Sequence, residues 1–231
     1  MVELLYKNIL FDLDGTLIDS ALGIINSFEY ALSKYNISVG KEELSTLIGP
    51  PLMDSFMNHF GFDKEKATQA VGYYREYYKS KGAMENELYH DVVNLLKKLR
   101  KEEYRLCIAT SKPEVFTLEI LAHYDILKYF SYVSAPSIDD TTTKKEDIIL
   151  KAINTLNLNP KETIMVGDRK HDIIGANSNN IASIGVLYGF GNKEELEKEN
   201  ATFIVSEVLD ILDCLKPRKV MEKYKAIERS I

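Results

Sequence analysis

The sequence has little cysteine: two residues in 231, Cys107 and Cys214, neither in a Cys-x-x-Cys pair. That usage excludes a zinc cluster and a disulfide framework. It also lacks a surplus of positive charge, since 29 lysines and arginines face 35 acidic residues and the formal net charge is −6. Gripping a nucleic acid polymer requires clustered lysine and arginine, so no such partner is expected. Small phosphorylated molecules remain open as partners, because a few cations inside a cleft reverse the local field. Long apolar runs are missing as well. None approaches the ~20 residues that a membrane helix needs, and the opening stretch MVELLYKNILFDLDGTL has no basic region followed by an apolar core and a cleavage site. The expectation is a cytoplasmic protein with no membrane partner, monomeric or homodimeric.

What is present is an ordinary globular composition, 45% hydrophobic and 28% charged. The length suits one large core, or a core with a small satellite. Short apolar runs that end in a polar residue or glycine recur at Asn8–Asp12, Arg105–Thr110, Tyr132–Ala135, Thr163–Asp168, Ser183–Leu187 and Ala201–Val205. Runs this short and this apolar fit strands buried on both faces of a parallel sheet. Between the later ones lie helical stripes: Val92, Leu95, Leu96 and Leu99, then Ile148, Ile149, Ala152, Ile153 and Leu156. Strand–helix alternation predicts an α/β fold with a doubly wound, Rossmann-like parallel sheet.

One interval breaks the rhythm. From Thr16 to about Glu103 no strand is evident, yet the apolar spacing is helical throughout. A crossover needs only about a dozen residues, so the interval is expected to contain an inserted helical domain. Its turns are marked by Gly49-Pro50-Pro51 and by Gly61. The expected division is an α/β core of residues 1–19 and 85–231 with a helical insert at 20–84. The basic stretch Lys216–Ile231 reads as a solvated terminal helix, with a docking surface as the alternative.

Acidic residues gather where the runs end. Asp12 and Asp14 close the first run in FDLDGT. Residues i and i+2 on an extended segment point the same way, so both carboxylates are expected to face one spot beyond the strand, where open α/β sheets place ligands. Like charges aimed together need a cation or a shared proton. Asp168 and Asp172, in GDRKHD after another run, offer hard oxygens that would complete a Mg²⁺ site with Asp12; each also reads as a helix cap. Thr110, Ser111 and Lys112 follow a third run, with hydroxyls and amides suited to phosphate oxygens. Lys144 and Lys145 precede a helix, and a lysine there would neutralise the carboxylates.

These pieces, in this order and over almost the whole chain, resemble the haloacid dehalogenase superfamily of phosphatases. DLDGTL at Asp12–Leu17 is similar to its first motif, Thr110 to the second and GDRKHD at Gly167–Asp172 to the fourth. The resemblance implies Asp12 as nucleophile, Asp14 as general acid and base, and a phosphate site of Thr16, Thr110, Ser111 and the lysine. It implies Mg²⁺ held by Asp12, Asp14, Asp168 and Asp172, and a helical insert serving as the small mobile cap of the phosphoglycolate-phosphatase-like branch. Relatives carry Lys-Pro at the third motif. Here the text is TTTKKEDIIL, without proline; Lys145 is preferred on the likeness of KEDII to nucleotidase-like members, with Lys144 as the alternative. After Tyr89 stands His90-Asp91, where relatives often have Pro-Gly.

The implied activity is Mg²⁺-dependent hydrolysis of a small phosphate monoester, phosphoglycolate or a nucleoside monophosphate, through an aspartyl-phosphate. Asp14 argues against a dehalogenase, which has no carboxylate two residues after its nucleophile. Thr16 argues against a sugar phosphomutase, whose members tend to carry valine there. A protein that binds a phosphometabolite without turnover would not need so many carboxylates.

Overall fold

The computed structural model describes residues 5–49, 51–138 and 143–216. The chain forms two compact units, one running to Leu17 and resuming at Leu88, the other Ile18–Glu87.

The first unit is built on a six-stranded parallel sheet. Its strands are β1 (Asn8–Phe11), β4 (Arg105–Ala109), β5 (Phe130–Ser134), β6 (Thr163–Gly167), β7 (Ala182–Val186) and β8 (Phe203–Val205). They lie in the order β5-β4-β1-β6-β7-β8. This is the expected doubly wound α/β fold. β1 and β6 are buried along their whole length because helices cover both faces. On one face Leu10, Cys107, Ala109 and Met165 meet Ile148, Ile149, Ala152 and Ile153 of α7 (Lys145–Leu156) and Ala176 of α8 (Lys170–Ser178). Each such aliphatic side chain contributes about 1.5–3 kcal/mol by leaving water. Burial pushes the Cys107 thiol up, and it serves as a small core residue.

The strands stop one residue short of where the apolar runs end, at Phe11, Ala109, Ser134, Gly167 and Val186. Asp12 still donates its N–H to Val166 O (2.9 Å) and Thr110 to Ser134 O (3.1 Å). Their backbones therefore stay tied to the sheet while their side chains sit past its edge. From β1 the chain moves outward through β4 to β5, then returns to β6 on the opposite side of β1. Open sheets bind ligands beside such a reversal, at the carboxyl ends of the strands.

The second unit holds α1 (Ala21–Ser33), α2 (Lys41–Ser45), α3 (Leu52–Asp54), a π-helical turn at Ser55–His59 and α4 (Lys64–Ser80). Its core is aromatic: Phe28 stands 5.4 Å from Phe56 and 5.0 Å from Tyr74, and Phe56 stacks on Phe62 at 6.0 Å. Gly49 and Gly61 take positive φ at the turns; Pro50, expected with Gly49 to mark a turn, lies outside the described residues. One expectation is corrected. Two strands, β2 (Ile18–Asp19) and β3 (Glu87–Leu88), pair in a separate sheet within the stretch thought to lack any. At two residues each they are too short for an alternating pattern to register.

Asp91 precedes α5 (Val92–Lys101) with φ 66°, a left-handed conformation that aspartate tolerates better than most residues. The basic stretch expected as a terminal helix lies outside the described residues beyond Lys216, which pairs with Asp213 at 2.8 Å. Among the described residues, no helix is long and apolar enough to cross a membrane.

Candidate active site

The strand tips of the first unit bring charge together. Asp12, one residue past β1, accepts the N–H of Leu13 at 2.8 Å and the Thr110 hydroxyl. Lys145 opens α7, and its ammonium lies 2.9 Å from Asp12 Oδ1 and 2.9 Å from Asp172 Oδ1 while donating to Ala109 O at 3.1 Å. Lys144, one residue earlier, points away: its side chain is 72% exposed and lies 3.8 Å from Glu146. The lysine beside the carboxylates is Lys145.

Past β6, Asp168 accepts the Phe190 N–H at 2.8 Å and the Thr16 hydroxyl at 3.3 Å. Asp172, on the first turn of α8, accepts the Arg169 N–H at 3.1 Å, so the cap reading and the site reading hold for the same residue. Gly15 adopts φ +77°, and a Cβ there would fall 2.2 Å from Asp168 Oδ2. Only glycine lets the first motif's turn press against that carboxylate.

Oxygens of Asp12, Asp168 and Asp172 all lie within 4.8 Å of one another. Burial, then the neighbouring carboxylates, push Asp168 up to about 8. Burial also lifts Asp12 to about 6, with Lys145 pulling it down and Asp172 pushing it up. Burial works against the charge of Lys145, but Asp12 and Asp172 together outweigh it and hold the ammonium above the ordinary lysine value. Asp172 Oδ1 is buried and receives no well-aligned hydrogen bond, although Lys145 is near. Three clustered carboxylates that offer hard oxygen donors and repel one another fit a small divalent cation such as Mg²⁺.

Asp14, expected among the metal ligands, is not in this cluster. Its Oδ1 lies 2.6 Å from Lys112 Nζ. The i, i+2 rule holds only on extended chain, and β1 ends at Phe11; Leu13 O then accepts the N–H of Leu17 at 2.9 Å and the chain turns. Thr16, expected to hold phosphate, is fully buried and gives its hydroxyl to Asp168. Thr110 is buried beside Asp12, and Ser111 is exposed next to it.

Two contributors were not anticipated. One is the ammonium of Lys112, counted before only for its amide. The other is the loop after β7, LYGFGN, where Phe190 N–H reaches Asp168, Tyr188 donates to Thr16 O at 3.0 Å, and a Cβ on Gly191 would fall 1.9 Å from Asp168 O. The paired glycines are the signal that a backbone approaches closely there. A groove of about 530 Å³ lined by Lys7, Asn8, Arg105 and Glu162 sits at the opposite ends of the strands and shares no residue with this cluster.

Residues 9–186 match the family of haloacid dehalogenase-like hydrolases. Over 222 residues the chain is 38% identical to a 5'-nucleotidase of Pseudomonas aeruginosa, covering 95% of this chain and 97% of that protein. It is 36% identical over 197 residues to tyrosine-protein kinase PtkA of Mycobacterium tuberculosis, covering 85% of this chain and 67% of the other. A solved structure of a predicted phosphatase from Clostridium acetobutylicum superposes with a TM-score of 0.84 at 45% identity, covering 94% of this chain and 99% of that one.

Proposed function

The chain belongs to the haloacid dehalogenase-like hydrolases, and on that footing we propose that it hydrolyses small phosphate monoesters with Asp12 as nucleophile and Mg²⁺ as cofactor. Nucleoside 5'-monophosphates are the first substrates to test, because a relative matching along nearly its whole length is named a 5'-nucleotidase; phosphoglycolate comes next.

The observation that carries this reading is the uneven burial of the three clustered carboxylates. The Asp168 residue and the Asp172 side chain are 0% and 1% exposed, whereas Asp12's side chain is 13% exposed. Two are enclosed as ligands, and one keeps an open side toward a substrate. Asp12, Asp168 and Asp172 would hold Mg²⁺. When bound, it supplies the positive charge that lets an anionic nucleophile approach an anionic ester.

The remaining steps belong to the chain's own residues. A carboxylate oxygen of Asp12 attacks phosphorus in line, the ester P–O bond breaks, and the alcohol leaves with a proton from Asp14. Water then attacks the aspartyl-phosphate and gives its proton to Asp14, which restores both carboxyl groups. Lys145 keeps Asp12 ionised in spite of its burial. Thr110 and the amides beyond β4 would receive phosphate oxygens.

The test is phosphate release from a panel of nucleoside 5'-monophosphates and phosphoglycolate, with Mg²⁺ and with EDTA. EDTA-sensitive release is expected. Binding of these esters without release under any metal would make the protein a phosphometabolite binder. Movement of phosphate between two positions of a sugar phosphate, without net release, would make it a mutase.

A further inference from the structure

We infer that Lys112 is a positioning residue for Asp14, gripping Oδ1 of that carboxylate so that Oδ2 meets the oxygen of the departing alcohol. This rests on the proposed role of Asp14 as proton donor to that alcohol.

Lys112 is placed with unusual firmness for a lysine. Its N–H donates to Thr110 Oγ1 at 3.2 Å, its carbonyl accepts the Thr117 hydroxyl at 3.3 Å, and Pro113 fixes the next φ. The side chain is 3% exposed, and its ammonium ends 2.6 Å from Asp14 Oδ1. Asp14's side chain is 26% exposed, so the carboxylate is the open member of the pair and the lysine stands behind it.

Stability alone does not account for such a pair. Desolvating an ammonium and a carboxylate offsets most of their attraction, and apolar residues would serve as well or better. What the pair does secure is direction. Asp14 lies beyond the end of β1, just before the turn at Gly15, and Lys112 Nζ is the one side-chain partner its carboxylate has among the described residues. Without that grip the acid is free to rotate, and a displacement of about 1 Å at a reacting group costs on the order of 10²-fold in rate.

Leaving-group dependence separates this role from a general loss of structure or of phosphate binding. A nucleoside 5'-monophosphate releases an alkoxide that needs a proton; 4-nitrophenyl phosphate releases a stabilised phenolate that does not. Lys112→Met is expected to lower kcat/KM for the alkyl ester by about 10²-fold and for the aryl ester by less than about tenfold. Lys112→Arg, which keeps the charge and the long stem, is expected to recover part of the alkyl activity. In an Asp14→Asn background, Lys112→Met should add no further loss.

Equal losses on both esters, unchanged kinetics on both, or a full additional loss in the Asp14→Asn background would overturn the inference. Should the methionine variant fail to fold by circular dichroism, the arginine variant must still show the larger loss on the alkyl ester, and an equal effect on both overturns it too. Absence of metal-dependent release by the unmodified protein on either ester would be a different failure, that of the phosphatase reading itself.

Discussion

Ile18–Glu87 and the strand tips of the other unit bury opposite kinds of side chain. Inside the former, the buried polar residues are Ser20, Ser27 and Ser55, and the volume is filled by Phe28, Phe56, Phe62 and Tyr74. At the strand tips Lys112, Lys145, Asp168 and Asp172 are all buried, three of them within ion-pair reach of a partner. Removing a charge from water is costly, so natural interiors rarely keep four such groups unless chemistry requires them. The aromatic interior follows the rules of stability. The charged one sacrifices stability, as the proposed cation and phosphate site requires.

Substitutions on either side should therefore have opposite signatures. The largest effect is expected from Asp12→Asn, which removes the proposed nucleophile: turnover falls by at least about a thousandfold, while the melting temperature is held or raised because one like charge is gone from the cluster. A lowered melting temperature would mean that the carboxylate contributes to stability and the contrast is wrong. Phe28→Ala should do the reverse. The fully buried ring sits among Phe56 and Tyr74, and its removal is expected to cost about 3–5 kcal/mol, read from denaturant midpoints, with the Mg²⁺ affinity of the folded protein unchanged.

A smaller effect follows from pH. Asp12 and Asp168 are raised in the folded state to about 6 and about 8, from an ordinary 3.8. A raised carboxyl favours the fold while protonated, so its contribution is complete below the ordinary value and is lost as pH rises through the folded one. In EDTA the melting temperature should fall between about pH 4 and about pH 8 from these groups, and saturating Mg²⁺ should flatten that slope. A rise over the same window would contradict it. Smallest of all is Lys144→Ala, an exposed lysine whose loss is expected to change stability by less than about 0.5 kcal/mol and turnover not at all. Lys145→Met, one residue on, should impair turnover severely.

The central sheet was legible because strands buried on both faces leave runs such as NILF and TIMVG that nothing else explains. The two-residue strands β2 and β3 left no such trace. At the site, sequence could bring Asp12, Asp168 and Asp172 to strand ends, but it preferred Lys145 to Lys144 only through the likeness of KEDII to relatives, since residue type and spacing do not say which of two adjacent lysines turns inward. Asp14 was aimed by a rule that stops applying where β1 stops. Lys112 was hidden because lysine in a loop normally faces water. Phe190 was hidden because the group that reaches Asp168 is a backbone amide, which every residue but proline possesses.

The most direct test of the account is to find where phosphorus goes. Acid quenching during turnover, followed by borohydride reduction of any acyl phosphate and peptide mass analysis, should convert Asp12 to homoserine in the intact protein and leave no such mark in Asp12→Asn. Reduction at another carboxylate, or turnover with no reducible acyl phosphate at all, would contradict it.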